Sequence, residues 1–152
     1  MPIPRIMPTL MAGLALASCS TTPAVDFAIM PAWTTEMKGL EHFSLGSGMQ
    51  LYVQNSPIVD GDDIRQATAA VDQMNAPAVL IDLEPAAAGR MGRFTAGHVS
   101  EPLAVFVDGE LFSAPVVQSA LGNTFLITGF ASADAARNFT TLCNEAAARR
   151  GD

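Results

Sequence analysis

Leu103-Ala104-Val105-Phe106-Val107-Asp108-Gly109-Glu110-Leu111-Phe112 decides how the rest of the chain is read. Two apolar runs flank Asp-Gly, the dipeptide that accepts positive φ at both centres of a two-residue turn, so the stretch predicts a β-hairpin. Pro115 lacks an N–H and marks where the second strand bends or leaves its sheet. Beyond it, Thr124–Thr128 reads as a further short strand, ended by Gly129. Ser132 then caps a helix whose Ala135, Ala136, Phe139, Leu142, Cys143 and Ala146 form the buried side. Arg149 and Arg150 suit the negative pole of its dipole.

Working back from the hairpin, Pro85 opens a short helix, where its missing N–H costs nothing. Ala88, Met91 and Thr95 share one side of that helix, and Gly89 and Gly92 weaken it. Ala78–Leu83 reads as a strand with Val79, Ile81 and Leu83 on one face. Before it, Ile64, Ala67, Val71 and Met74 recur at spacings of three and four, which predicts a helix led by Asp60-Gly61-Asp62-Asp63. Met49, Leu51 and Val53 alternate with Gln50, Tyr52 and Gln54 as a half-buried strand does, and Pro57 breaks the run. The expected order is β, α, β, α, β-hairpin, β, α. That order predicts an α+β sandwich of a mixed, largely antiparallel sheet with its helices gathered on one face.

The N-terminus reads as an address. Arg5 precedes an apolar run from Ile6 to Ala17, too short to span a bilayer and of signal-peptide dimensions. It ends in Leu16-Ala17-Ser18-Cys19, which resembles the bacterial lipobox. Residues 1–18 are therefore expected to be a lipoprotein signal peptide, and Cys19 the lipidated first residue of the mature chain, its palmitate-type anchor in a membrane. Removing 18 of the 152 residues leaves 134, a one-domain length. Loss of Arg5 takes the net charge from −7 to −8. Such a balance repels phosphates, which excludes nucleic acid as a partner. Ser20 follows the cysteine, where an aspartate would retain a lipoprotein at the inner membrane, so outer-membrane sorting is expected where there are two membranes. Residues 19–42 mix Thr, Pro and Ala with little periodicity and read as a flexible tether, with Trp33 either packed back on the domain of residues 43–152, the default, or resting near headgroups.

With Cys19 acylated, Cys143 is left alone, and an inert buried thiol is the default on an apolar helix face. The aspartates at 60, 62 and 63 lack the spacing and final glutamate of an EF-hand and read as helix-start capping. His42 and His98 stand apart, with no metal-ligand spacing, and no cofactor is expected. Ser47, Ser113 and Ser119 lack a GxSxG setting. Asp82 and Glu84 share one strand face, which carboxylate pairs for acid–base chemistry do, but so do alternating residues on any half-solvated strand. No enzyme is expected.

Taken in order, Asp63-Ile64, Val79-Leu-Ile-Asp-Leu83, Val99-Ser-Glu-Pro-Leu-Ala-Val-Phe-Val-Asp-Gly109, Ser113-Ala-Pro-Val116, Ile127-Thr-Gly129 and the final Ala-rich helix resemble the periplasmic head subdomain of SecD/SecDF protein-export membrane proteins. The resemblance covers about residues 48 to 148. Asp108, Gly109, Ser113, Ala114, Pro115 and Gly129 match its signature, and their turn and strand-exit chemistry makes them structural first. Ser100 departs from the family's glycine and Glu101 from its basic residue. The resemblance implies a non-catalytic periplasmic module that contacts exported polypeptide or an envelope protein, without the membrane helices that carry proton coupling in the larger proteins. An extended peptide adding to a sheet edge within residues 103 to 128 is one way to make that contact. A small-ligand- or metal-binding lipoprotein sharing only the fold is the alternative reading.

Overall fold

The computed structural model describes residues 25–151, so the expected signal peptide and Cys19 lie outside the described residues. In chain order the elements are β1 (Phe27–Trp33), β2 (Glu41–Ser44), β3 (Gln50–Val53), β4 (Val59–Asp60), β5 (Ile64–Val71), β6 (Pro77–Leu83), α1 (Pro85–Ala96), β7 (Leu103–Val107), β8 (Glu110–Ser113), β9 (Thr124–Thr128) and α2 (Ala133–Arg150). The strands make two sheets, β2-β3-β1-β7-β8 with β4 also against β1, and β5-β6-β9. Their pairings are antiparallel. The α+β class is the expected one, with the sheet divided in two.

The dividing line is the main core. Phe27, Ile29, Leu103 and Val105 enter it from the first sheet, and Val79, Ile81, Leu83 and Ile127 from the second. Both helices turn their apolar sides to the same core, Ala87 and Met91 from α1, Ala136, Phe139 and Cys143 from α2. Each fully buried Val, Leu, Ile, Phe or Met side chain is worth roughly 1.5–3 kcal/mol in transfer free energy. A smaller cluster on the opposite side of the first sheet packs Leu51 and Val53 with Ala104 and Phe106.

The hairpin forms as expected. Asp108 (φ 53°) and Gly109 (φ 77°) both sit at positive φ between β7 and β8. The register slips once, so that Val105 faces Ser113 while Phe106 faces Leu111, and Phe112 is the extra residue. That bulge turns Phe112 toward Phe130, ring centroids 4.8 Å apart. Gly129, at φ 102°, ends β9 beneath the Phe112 ring, as a β-carbon there would lie 3.7 Å from it.

Three expectations are corrected. The first is the tether of residues 19–42, because Phe27–Trp33 forms β1, an interior strand of the larger sheet paired with β3, β4 and β7. Both faces of β1 are covered, so its sequence shows no polar alternation to announce a strand. Pro31 is tolerated there because its missing N–H points into the gap between β3 and β4. Trp33 ends that strand half-buried.

The second is the helix from Ile64. Residues 64–71 are strand β5, and Arg65 is an extra residue in its pairing with β6. The bulge resets the side-chain phase, so Ile64 and Ala67 both point inward three residues apart and imitate a helical stripe, while Val71 and Met74 are exposed. Asp60 and Asp63 do form a capping box, but around the 3-10 turn Gly61–Asp63. The third is Leu142, which is 52% exposed on α2 beside the buried Phe139 and Cys143.

Candidate functional site

Between the two sheets' margins lies a groove of about 480 Å³. One wall is β9, the last strand of the smaller sheet; the other is Ser113–Ser119, the chain leaving β8. Its lining carries no charged residue. Phe112 and Phe130 meet at one end.

The far end is held by α1. Thr95 is fully buried, and its hydroxyl donates to the Met91 carbonyl at 2.7 Å and accepts the Leu121 N–H at 2.8 Å. A β-carbon on Gly92 would stand 3.2 Å from the Leu121 carbonyl, so the small residue lets this loop lie against the helix. Sequence reading placed Thr95 on the buried side of α1 but missed its task. The available signal was a hydroxyl on an apolar helix face, one turn after a glycine.

The groove's chemistry follows from the register of β9. The Leu83 N–H donates to the Asn123 carbonyl at 2.8 Å, and these two residues stand opposite in the β6–β9 pairing. Hydrogen-bonded pairs then recur every second residue, so Phe125 and Ile127 bond to β6. The N–H and C=O groups of Thr124, Leu126 and Thr128 point the other way, into the groove, and have no backbone partner among the described residues.

The opposite margin of the same sheet is treated differently. On β5 the Asn144 side chain of α2 donates to the Ala67 carbonyl at 2.9 Å and accepts the Ala67 N–H at 2.8 Å. Arg150 donates to the Ile64 carbonyl. Helix α2 thus occupies the sites a neighbouring strand would use.

Opposite β9, the Ser113-Ala114-Pro115 wall is fixed by the Leu103 N–H, which donates to the Pro115 carbonyl at 2.9 Å. Val117 is pinned on both sides, accepting from the Ser100 N–H at 2.8 Å and donating to the Glu101 carbonyl at 2.9 Å. Ser113, Ala114 and Pro115 therefore line the groove, whereas Asp108 and Gly109 form the distant hairpin turn.

The other candidate residues are occupied in local structure. Asp82 is paired with Arg65 and accepts from Asn123 at 3.3 Å, while Glu84 precedes α1 and donates its N–H to the Asp63 carbonyl at 2.8 Å. Asp63 also pairs with Arg90 at 2.8 Å. His98 stacks on Phe94 at 3.8 Å and lies 2.7 Å through Nδ1 from the Phe94 carbonyl. His42 packs on Tyr52 and bonds Gln50. Burial pushes the Cys143 thiol up to about 12, which suppresses the thiolate at neutral pH. No three His, Cys, Asp or Glu side chains gather in metal-binding geometry among the described residues, and no helix among them is long and apolar enough to cross a membrane.

Residues 36–147 match the family model of the SecDF P1 head subdomain. The protein translocase subunit SecD of Rhodobacter capsulatus is 34% identical over 105 residues, 68% of this chain and 19% of that protein. SecD of Aquifex aeolicus is 33% identical over 90 residues, 59% of this chain and 18% of that protein. This chain therefore spans about a fifth of the length of these relatives. A crystal structure of SecDF in its super-membrane-facing form shares the fold, with a TM-score of 0.63 over 80% of this chain and 19% of that one, at 18% identity. A second structure, of the membrane component SecDF that enhances protein export, gives 0.59 over 78% of this chain and 63% of that one, at 19% identity. With the family model running from just after β1 to near the end of α2, the chain belongs to the SecDF P1 head subdomain family.

Proposed function

We propose that this chain is a non-catalytic, lipid-anchored periplasmic module that binds extended, uncharged stretches of polypeptide along β9, in protein export or envelope assembly. The observation that carries the reading is the outward row of N–H and C=O groups on Thr124, Leu126 and Thr128, beside a groove without charge. A peptide laid against that row gains main-chain hydrogen bonds whatever its sequence, and the uncharged wall opposite takes small or apolar side chains. Kinship with translocase subunits supports polypeptide as the ligand class.

The anchor is Cys19, with Ser20 favouring the outer membrane where there are two. Cys19→Ala should abolish lipid labelling and leave the precursor uncut by the lipoprotein peptidase; normal processing of that variant would remove the anchor. For the groove, an isotope-labelled mature chain titrated with unfolded, uncharged peptides should show its largest amide shifts at Thr124, Leu126 and Thr128. Shifts absent from residues 103 to 128 would sink the reading. Heat released on adding divalent metal, with none on adding peptide, would move the assignment to a ligand-binding lipoprotein.

A further inference from the structure

We infer that the domain stands end-on at the lipid surface, its acidic hairpin end within about 20 Å of the bilayer and its groove directed away. The inference rests on the Cys19 anchor proposed above and on where the folded chain starts.

Six residue steps separate Cys19 from Val25, so the spacer reaches at most about 20 Å, whatever path it takes. The tether of residues 19–42 would have allowed about 80 Å. Val25 is part of the fold. It packs against the main core, and its carbonyl accepts the Phe27 N–H at 3.0 Å. The same carbonyl lies so near Gly61 that a β-carbon there would stand 2.2 Å from it. The Asp108 N–H donates to the neighbouring Asp26 carbonyl at 2.9 Å, which fixes the hairpin turn beside the start of the fold.

From that end β1 runs away from the anchor. Phe27 faces Val107 and Pro31 faces Leu103, so the Leu103 end of the sheet is about 13 Å farther out. The groove is built on that outer part, from Leu103, Val105 and Ser113 onward. Charge separates the two ends further. Asp26, Asp60, Asp62, Asp108 and Glu110 surround the Val25 end, where Arg150 reaches Asp62 at 3.6 Å. The short spacer alone holds that end near the surface, and an anionic headgroup layer, which repels its charge, makes it stand off the lipid instead of lying on it. Polypeptide is then met on the side of the domain turned away from the lipid.

Donor dyes on Glu110→Cys, Val99→Cys or Met49→Cys test this in mature protein purified with its lipid. The protein is placed in phosphatidylglycerol-containing vesicles that carry acceptor-labelled headgroups. All three positions are exposed, and Cys143 is only 1% exposed, so label goes to the new thiol. About 20 Å of strand separates the near site from the far ones, so transfer from position 110 should exceed that from 99 and 49 about threefold. A long Gly-Ser insertion after Ser20 should level the three. Equal or reversed transfer in protein whose intact mass includes the lipid overturns the orientation and leaves the anchor standing. A mass without lipid, with no co-flotation, overturns the anchor reading and the orientation with it.

Discussion

Strands β5 and β9 are the two margins of one three-stranded sheet, and each presents a row of outward backbone groups. On β5, Asn144 and Arg150 reach from α2 to Ala67 and Ile64 and take the places of a neighbouring strand. On β9, the corresponding groups of Thr124, Leu126 and Thr128 open onto an uncharged groove. An unpaired edge invites pairing with other chains, and proteins usually blunt it with charge, proline or a covering element. Here one margin is covered and the other is framed by Ser113–Ser119 and loops pinned through Thr95 and Ser100. The difference teaches that openness at β9 is local: the same helix that closes β5 leaves β9 alone.

Proline separates what the two sides of β9 do, and gives the largest expected effect. Phe125→Pro removes an N–H directed at β6 and should cost about 3 kcal/mol or more in chemical denaturation. Leu126→Pro removes one directed into the groove, so its cost should be well below that, while peptide affinity drops about tenfold or more. Equal destabilisation by both, or unchanged binding by Leu126→Pro, would break the assignment of an open edge.

Asn144→Ala tests the closed margin. It strips the Ala67 N–H and C=O of their partners and should cost about 2 kcal/mol. Hydrogen exchange at the Ala67 amide should accelerate more than at Ala70, whose bonds run to β6. The variant should also self-associate more at high concentration, as a second edge becomes available. A variant that stays monomeric with an unchanged Ala67 amide would mean that Asn144 does not seal β5.

How much of this was legible beforehand depended on what each segment packs against. The hairpin, β6, α1, β9 and α2 were readable because turn chemistry or one-sided burial leaves a period in the sequence. β1 was not, because burial on both faces erases the alternation that marks a strand. β5 was misread because one bulge at Arg65 turned a two-residue period into a three-residue step. For the groove, Ser113, Ala114 and Pro115 were singled out from sequence, and they form one wall. The open row on β9 was beyond reach, since its side chains carry no sign of which way the backbone faces. Thr95 and Gly92 position a loop remote in sequence, and pattern within α1 says nothing of Leu121.

The smallest expected effect concerns the pinning of the wall opposite β9. Ser100 sits at φ 73° and donates its N–H to the Val117 carbonyl at 2.8 Å, so the loop needs a left-handed residue at that point. A glycine would meet that need without a β-carbon. Relief of the left-handed conformation is worth roughly 1–2 kcal/mol, against about 0.5–1 kcal/mol for the greater freedom glycine gives the unfolded chain. Ser100→Gly should therefore stabilise the fold by about 0.5 kcal/mol, and Ser119→Gly, at a residue without positive φ, should destabilise it by a similar amount. Thermal melts of the two variants give the sign directly. If both lose stability equally, the positive φ at Ser100 carries no strain and the wall is held by the Val117 bonds alone.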